Sequence, residues 1–144
     1  MKRAHIKLRL LISLISFFIT GTTSALEFMP YPVAKISHEQ WQSFYEKARS
    51  SLGHSQRIYS ERYIVIFIDS FNGHHYAFTL PGHAAHPSWI VRRIVNHDGE
   101  ITVQQVGYFV EDEAEFVELF KAYLELNEQI RPNLQGHNAS GEHE

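Results

Sequence analysis

Histidine is the most distinctive chemistry-bearing residue in this sequence, with ten among 144 residues. His74 and His75 are adjacent and follow a predicted turn, whereas His83 and His86 lie three residues apart in a predicted loop. Neutral imidazoles bind zinc and copper, and clustered histidines are typical of such sites. These residues are therefore candidate ligands of a divalent metal, although histidines at turns also occur simply as surface residues.

The predicted strands decide which histidines could share one metal ion. A strand of at least six residues separates His74 and His75 from His83 and His86, which is roughly 20 Å at about 3.3 Å per residue. The next strand returns antiparallel and brings His97 back toward the first pair. We therefore expect a candidate site at His74, His75 and His97, with His83 and His86 as the alternative at the opposite end of the sheet.

An aromatic sheet face is the second candidate site. Asn72-Gly73 is a strong hairpin signal, and alternation along its two strands places Tyr63, Phe67 and Tyr76 on one face. The opposite face is aliphatic and suits a packed helix. The aromatic face either packs against a second layer or lines a ligand pocket, so these three residues are candidate ligand-binding residues.

The second predicted hairpin contains two adjacent arginines, Arg92 and Arg93, that are further candidates for ligand binding. Arg92 falls opposite Gln105 and Arg93 opposite Gln104, so the two arginines point to opposite sides of the sheet. An inward arginine needs a carboxylate or a ligand. We expect instead that their long side chains reach solvent, and retain Arg92 and Arg93 as candidate ligand-binding residues.

Catalytic motifs are weak in this chain. It contains no cysteine, and no serine lies in a glycine-flanked elbow. Asp69 near His74 could form an acid–base pair only if a pocket surrounds them. A small enzyme with a pocket on the aromatic face therefore stays an alternative.

The elements that position these residues predict an α+β fold. Ser37 and Gln40 form a capping box that begins a helix, and Gly53 ends it. Four strands follow as an antiparallel meander, and a second helix runs from Asp112 to Pro132. The strands are predicted at residues 62–69, 74–80, 89–96 and 101–109.

The predicted order is thus α-β-β-β-β-α. Residues 31–34 could add an N-terminal edge strand, and Pro30 and Pro32 exclude a helix there. A sheet that cradles one helix resembles the plan of cystatin-like and NTF2-like folds. That resemblance concerns architecture alone and implies no function.

The first 25 residues have the three-part organisation of a cleavable secretory signal. Four cations and no acid occupy the first nine residues, an apolar run covers 10–19, and small residues follow. That run is about half the length that a membrane-spanning helix needs. We expect cleavage after Ala25, a periplasmic or secreted product, and no stable membrane insertion afterwards.

The rest of the chain has the length of a single domain, which we place at residues 26–132. We expect the polar tail at 133–144 to be disordered. Four of the 13 cationic residues belong to the leader. The chain without the leader therefore has nine cationic and 16 acidic residues, and its formal charge is −7. This charge disfavours binding to nucleic acid and to anionic lipid. Without cysteine there is no disulfide framework, and aromatic packing must hold the core.

The sequence therefore predicts an exported, small, non-enzymatic binding or accessory protein. Its partner is an unknown protein or small molecule, and no cofactor is expected. The alternatives are a histidine-based zinc- or copper-binding protein and the small enzyme described above.

Overall fold

A computed structural model describes residues 26–139, so the predicted leader at 1–25 and residues 140–144 lie outside the described part of the chain. The described chain is α+β, as predicted, with an antiparallel sheet and a helix before and after it. In chain order the elements are α1 (His38–Leu52), β1 (Arg57–Tyr59), β2 (Ile64–Asp69), β3 (His74–Thr79), β4 (Ser88–His97), β5 (Glu100–Phe109) and α2 (Glu113–Ala139), with 3-10 turns at Gly53–Ser55 and Ser60–Arg62.

The sheet has five strands in the order β1-β2-β3-β4-β5, so the prediction of four strands is wrong. The missed strand, β1, pairs antiparallel with β2. Its three residues are all exposed, so no alternation of buried and exposed positions marks it in the sequence. The suggested N-terminal edge strand is only an isolated parallel bridge between Lys35 and Phe109.

Helix α1 begins at the predicted capping box. Ser37 Oγ accepts a hydrogen bond of 3.1 Å from the Gln40 backbone N–H, and Gln40 Oε1 accepts one of 2.9 Å from the Ser37 N–H. These reciprocal bonds satisfy backbone donors that the first helical turn leaves unpaired. One helical face is buried, and it consists of Trp41, Phe44, Ala48 and Leu52.

This buried face of α1 covers the aromatic face of the sheet. Phe44 stacks on Trp89 with ring centroids 4.6 Å apart, and Trp41 Nε1 donates to the Ser88 carbonyl at 3.2 Å. The aromatic face is therefore a packed core layer beneath α1. Its fully buried members include Val65, Phe67, Tyr76, Phe78, Trp89 and Tyr108.

Helix α2 packs on the opposite face, chiefly over β5 and β4. Asp112 Oδ1 accepts a hydrogen bond from the Glu115 N–H at the start of this helix. Phe116 lies directly on Gly107, where a Cβ atom would meet the Phe116 ring at 2.6 Å and Ile90 Cδ1 at 2.9 Å. Glycine at this position therefore sets how closely α2 approaches the sheet.

The predicted end of the second helix at Pro132 is wrong, because α2 continues to Ala139 with Pro132 inside it. Proline inside a helix removes one backbone hydrogen bond. Pro132 is exposed, so water can reach the helix surface there. Within residues 26–139, no helix is both long enough and apolar enough to cross a membrane.

Candidate functional site: a cleft beside helix α2

The predicted metal-binding histidines are not brought together. His74 and His75 are neighbours in β3, so their side chains lie on opposite faces of the sheet. His74 pairs with Arg93, whereas His97 pairs with Glu100 farther along the β4–β5 hairpin. The four residue steps from Arg93 to His97 span about 13 Å of strand. The long hairpin extends past the β2–β3 turn and carries His97 away from the other two histidines.

His74 belongs to the aromatic core. Its Nδ1 lies 3.0 Å from the Tyr76 hydroxyl, and that hydroxyl lies 3.0 Å from the Leu26 carbonyl. A carbonyl can only accept, so Tyr76 donates to Leu26 and His74 Nδ1–H donates to Tyr76. Burial lowers the pKa of His74, and Arg93 acts in the same direction while Asp69 opposes both.

His83 and His86 hold the loop before β4. The His83 Nδ1 accepts from the Ala85 N–H at 3.0 Å, and His86 Nδ1 donates to the Thr79 carbonyl at 3.0 Å. Burial lowers the pKa of both imidazoles. Among the described residues, no three His, Cys, Asp or Glu side chains form a group that could hold a metal ion.

The three aromatic candidates divide between the core and a turn. Phe67 and Tyr76 have no exposed surface, because α1 covers them. Tyr63 lies outside the strand, in the left-handed region at φ 53°, and 48% of it is exposed. Its ring fills the space beside Gly82. The aromatic face therefore offers no ligand pocket at these positions.

Arg93 lies at the edge of this same face. Its Nε donates to Gln104 Oε1 at 3.1 Å, and its guanidinium lies 4.4 Å from the centre of the Phe28 ring. The predicted pairing of Arg93 with Gln104, and of Arg92 with Gln105, is confirmed by the β4–β5 register.

Arg92 points inward beneath α2, contrary to the expectation that it reaches solvent. Its Nη1 donates to Asn127 Oδ1 at 3.2 Å. Asn127 Nδ2 in turn donates to Gln105 Oε1 at 2.7 Å, and Gln105 Nε2 donates to the Phe120 carbonyl at 2.9 Å. These bonds form a polar network between α2 and the sheet.

The network leaves the charge of Arg92 unneutralised. Within the described residues, no carboxylate lies within 4.0 Å of its guanidinium, and its buried Nε has no hydrogen-bond partner. The guanidinium lies 5.0 Å from the centre of the Tyr123 ring. Burial lowers the pKa of Arg92, but a guanidinium stays protonated near neutral pH.

Tyr123 connects Arg92 to a cleft of about 600 Å³ that lies between α2 and the β2 end of the sheet. Burial raises the pKa of the Tyr123 phenol, whereas Arg92 and Arg62 lower it, so both cations lie near this ring. The apolar lining comes from Ile64, Leu119, Ala122, Tyr123 and Leu126, and the polar lining from Arg62, His83, Glu125 and Gln129.

Two further cations belong to this side of the sheet. Arg57 lies opposite Ile66, on the face that carries His75 and Arg92. Burial lowers the pKa of His75, and Arg92 and Arg57 add to that effect. Neither Arg57 nor Arg62 forms an ion pair with a carboxylate in the described part of the chain.

Sequence reasoning missed the α2 side of this site. Phe116, Phe120, Tyr123 and Asn127 follow one another at helical spacing, so Asn127 is a polar residue on an otherwise apolar helix face. That irregularity is the signal which could have identified Asn127 as the partner of an inward Arg92.

Comparisons with protein-family models, with curated proteins and with solved structures found no match for this chain. Function must therefore be inferred from the geometry of the site.

Proposed function

We propose that this chain is an exported, non-enzymatic binding protein that holds a small ligand in the cleft beside α2. The observation that carries the proposal is the inward Arg92, which lies behind the cleft residue Tyr123 without a carboxylate partner. Arg92 is half-buried, and withdrawing a charge partly from water without a counter-charge costs free energy. A ligand that complements this charge would account for its retention.

Binding is favoured over catalysis by the chemistry of the cleft lining. The described residues that form it include no serine, threonine or cysteine that could act as a nucleophile. His83 is the imidazole there, and its Nδ1 already accepts the Ala85 N–H. A general base needs a free lone pair held within reach of a substrate proton. The carboxylate in the lining, Glu125, is exposed at the rim, so the lining supports a ligand site better than an acid–base site.

Nile red, an uncharged apolar dye, tests whether the cleft is a binding site. We expect its fluorescence to rise on addition of the purified domain. Ala122 lies in the cleft and is exposed, so Ala122→Trp should fill the site without disturbing the core. Gln42→Trp, on the exposed side of α1, is the matched control. Equal dye binding by wild type and Ala122→Trp would contradict the proposal.

Export is supported by the basic, apolar and small segments of the first 25 residues. The mature chain should begin at Leu26, and intact-mass measurement of protein recovered outside the cytoplasm tests this. A mass that includes Met1 in the exported protein would contradict cleavage after Ala25.

A further inference from the structure

We infer that the ligand of this cleft is an anion with an apolar body, of the fatty-acid type. Its carboxylate lies toward Arg62 and Tyr123, near the half-buried charge of Arg92, and its hydrocarbon chain follows Ile64, Leu119 and Leu126. This inference rests on the proposed function and adds the chemical class of the ligand.

The first step of the argument is charge. The chain carries 13 cations against 16 acids, so it is acidic as a whole. Arg57, Arg62 and Arg92 are nevertheless all free of carboxylate partners within the described residues, and they belong to one side of the molecule. Arg57 and Arg62 are exposed, so solvent screens their attraction for an anion, whereas Arg92 is half-buried and its charge is screened less.

One acid does line the cleft. Glu125 is exposed on α2 and forms no ion pair with Arg62 in the described structure. Its carboxylate is therefore hydrated at the cleft rim and opposes an anionic ligand only weakly through water. We expect Glu125→Gln to tighten the binding of an anion slightly.

The second step is the apolar wall. Ile64, Leu119 and Leu126 line the same cleft as Arg62, and 38% of Leu126 is exposed. Covering such side chains with a hydrocarbon chain removes apolar surface from water and favours binding. A small inorganic anion would leave this wall hydrated, so the combination favours an amphiphile.

The test compares three probes that separate charge from apolar area. Laurate, below its micellar concentration, should displace Nile red and bind about tenfold more tightly than the uncharged dodecanol. Acetate carries the same carboxylate charge as laurate but lacks the hydrocarbon chain, so it should not displace the dye at the same concentration. Added salt should weaken laurate binding and leave dodecanol binding almost unchanged, since salt screens charge attraction.

Arg62→Gln should weaken laurate binding by up to about fivefold and leave dodecanol binding unchanged. Arg49→Gln is the matched control, because Arg49 pairs with Glu46 on α1. Arg92→Met removes the half-buried charge, and circular dichroism must first show that this variant folds. If it does not fold, the salt dependence and Arg62→Gln still decide the inference.

Two outcomes would overturn this inference while leaving the proposed binding function intact. Equal affinities for laurate and dodecanol would show that the cleft does not select for charge. Displacement of the dye by acetate as well as by laurate would show that the cleft takes simple anions. If the wild type does not bind Nile red, or if Ala122→Trp binds it equally well, both the proposed function and this inference are contradicted.

Discussion

Arg92 of β4 and Asn127 of α2 are joined by a hydrogen bond of 3.2 Å between Nη1 and Oδ1. Asn127 is only 4% exposed and also donates to Gln105, so one amide serves partners on two adjacent strands. The contact holds the guanidinium in a fixed position, 5.0 Å from the Tyr123 ring that lines the cleft. The helix therefore both packs on the sheet and positions the guanidinium beside a residue of the cleft lining.

Asn127→Ala should destabilise the fold by about 1–3 kcal/mol, because it leaves the Arg92 Nη1 and the Gln105 Oε1 buried without partners. Urea denaturation measures this loss. In the double variant Arg92→Leu/Asn127→Leu, the loss should be smaller than the sum of the losses in Arg92→Leu and Asn127→Leu, since both polar partners are removed together.

Gln104→Ala is the control for this pair, because the exposed Gln104 bonds Arg93 on the other face of the sheet. Its effect should stay within about 0.5 kcal/mol, as for other surface substitutions. Strictly additive losses at positions 92 and 127 would show that the hydrogen bond contributes nothing to stability.

Phe67→Ala should cost about 3–5 kcal/mol, because Phe67 is completely buried beneath α1. The matched control is Phe71→Ala in the β2–β3 turn, where 95% of the side chain is exposed. Urea denaturation of both variants compares a core with a surface phenylalanine. A loss below about 1 kcal/mol at Phe67 would mean that α1 does not cover this face in solution.

Local chemistry explains why much of the fold was predictable. The Ser37–Gln40 capping box lies where the sequence indicated it, and alternation in β2 and β3 assigned Phe67 and Tyr76 to one face. The sequence did not show which helix covers the aromatic face of the sheet. Both helices have apolar faces, and only tertiary packing decides that α1 takes the aromatic side.

The site was predictable only in part, because it depends on tertiary distances. The Arg92–Gln105 pairing follows from strand register and was predicted. Whether Arg92 reaches water depends on where Asn127 of α2 lies, which no spacing in the sequence gives. The histidine prediction relied on the antiparallel return of the strand that ends near His97, whereas the β4–β5 hairpin extends beyond the β2–β3 turn and carries His97 away.

Gly107→Ala should destabilise the domain by about 1–3 kcal/mol through overpacking, because the added methyl would meet Phe116 and Ile90. Gly53→Ala is the control, since nothing lies within 4 Å of a Cβ at that position. Thermal denaturation of the two variants gives the comparison. If Phe116→Leu restores stability to Gly107→Ala, contact with that ring is the cause, and an unchanged loss would assign the strain elsewhere.

Acid should weaken the fold as the pH falls below about 6.5, the pKa of an ordinary histidine. His74, His75, His83 and His86 all have lowered pKa values, with burial as the largest cause. Between those lowered values and about 6.5, the unfolded chain binds more protons than the folded one. The free energy of unfolding therefore decreases as the pH falls through this window.

Urea midpoints at pH 7.5 and 5.5 measure this acid dependence. His75→Gln should reduce the difference between the two midpoints, because it removes a half-buried imidazole whose pKa is lowered by burial and by the nearby Arg92 and Arg57. His97→Gln is the matched surface variant, since His97 is exposed at the end of β4. Asp69 does not contribute in this window, because its pKa is lowered from an already acidic 3.8. Equal midpoints at the two pH values in the wild type would contradict neutral, buried histidines in the folded state.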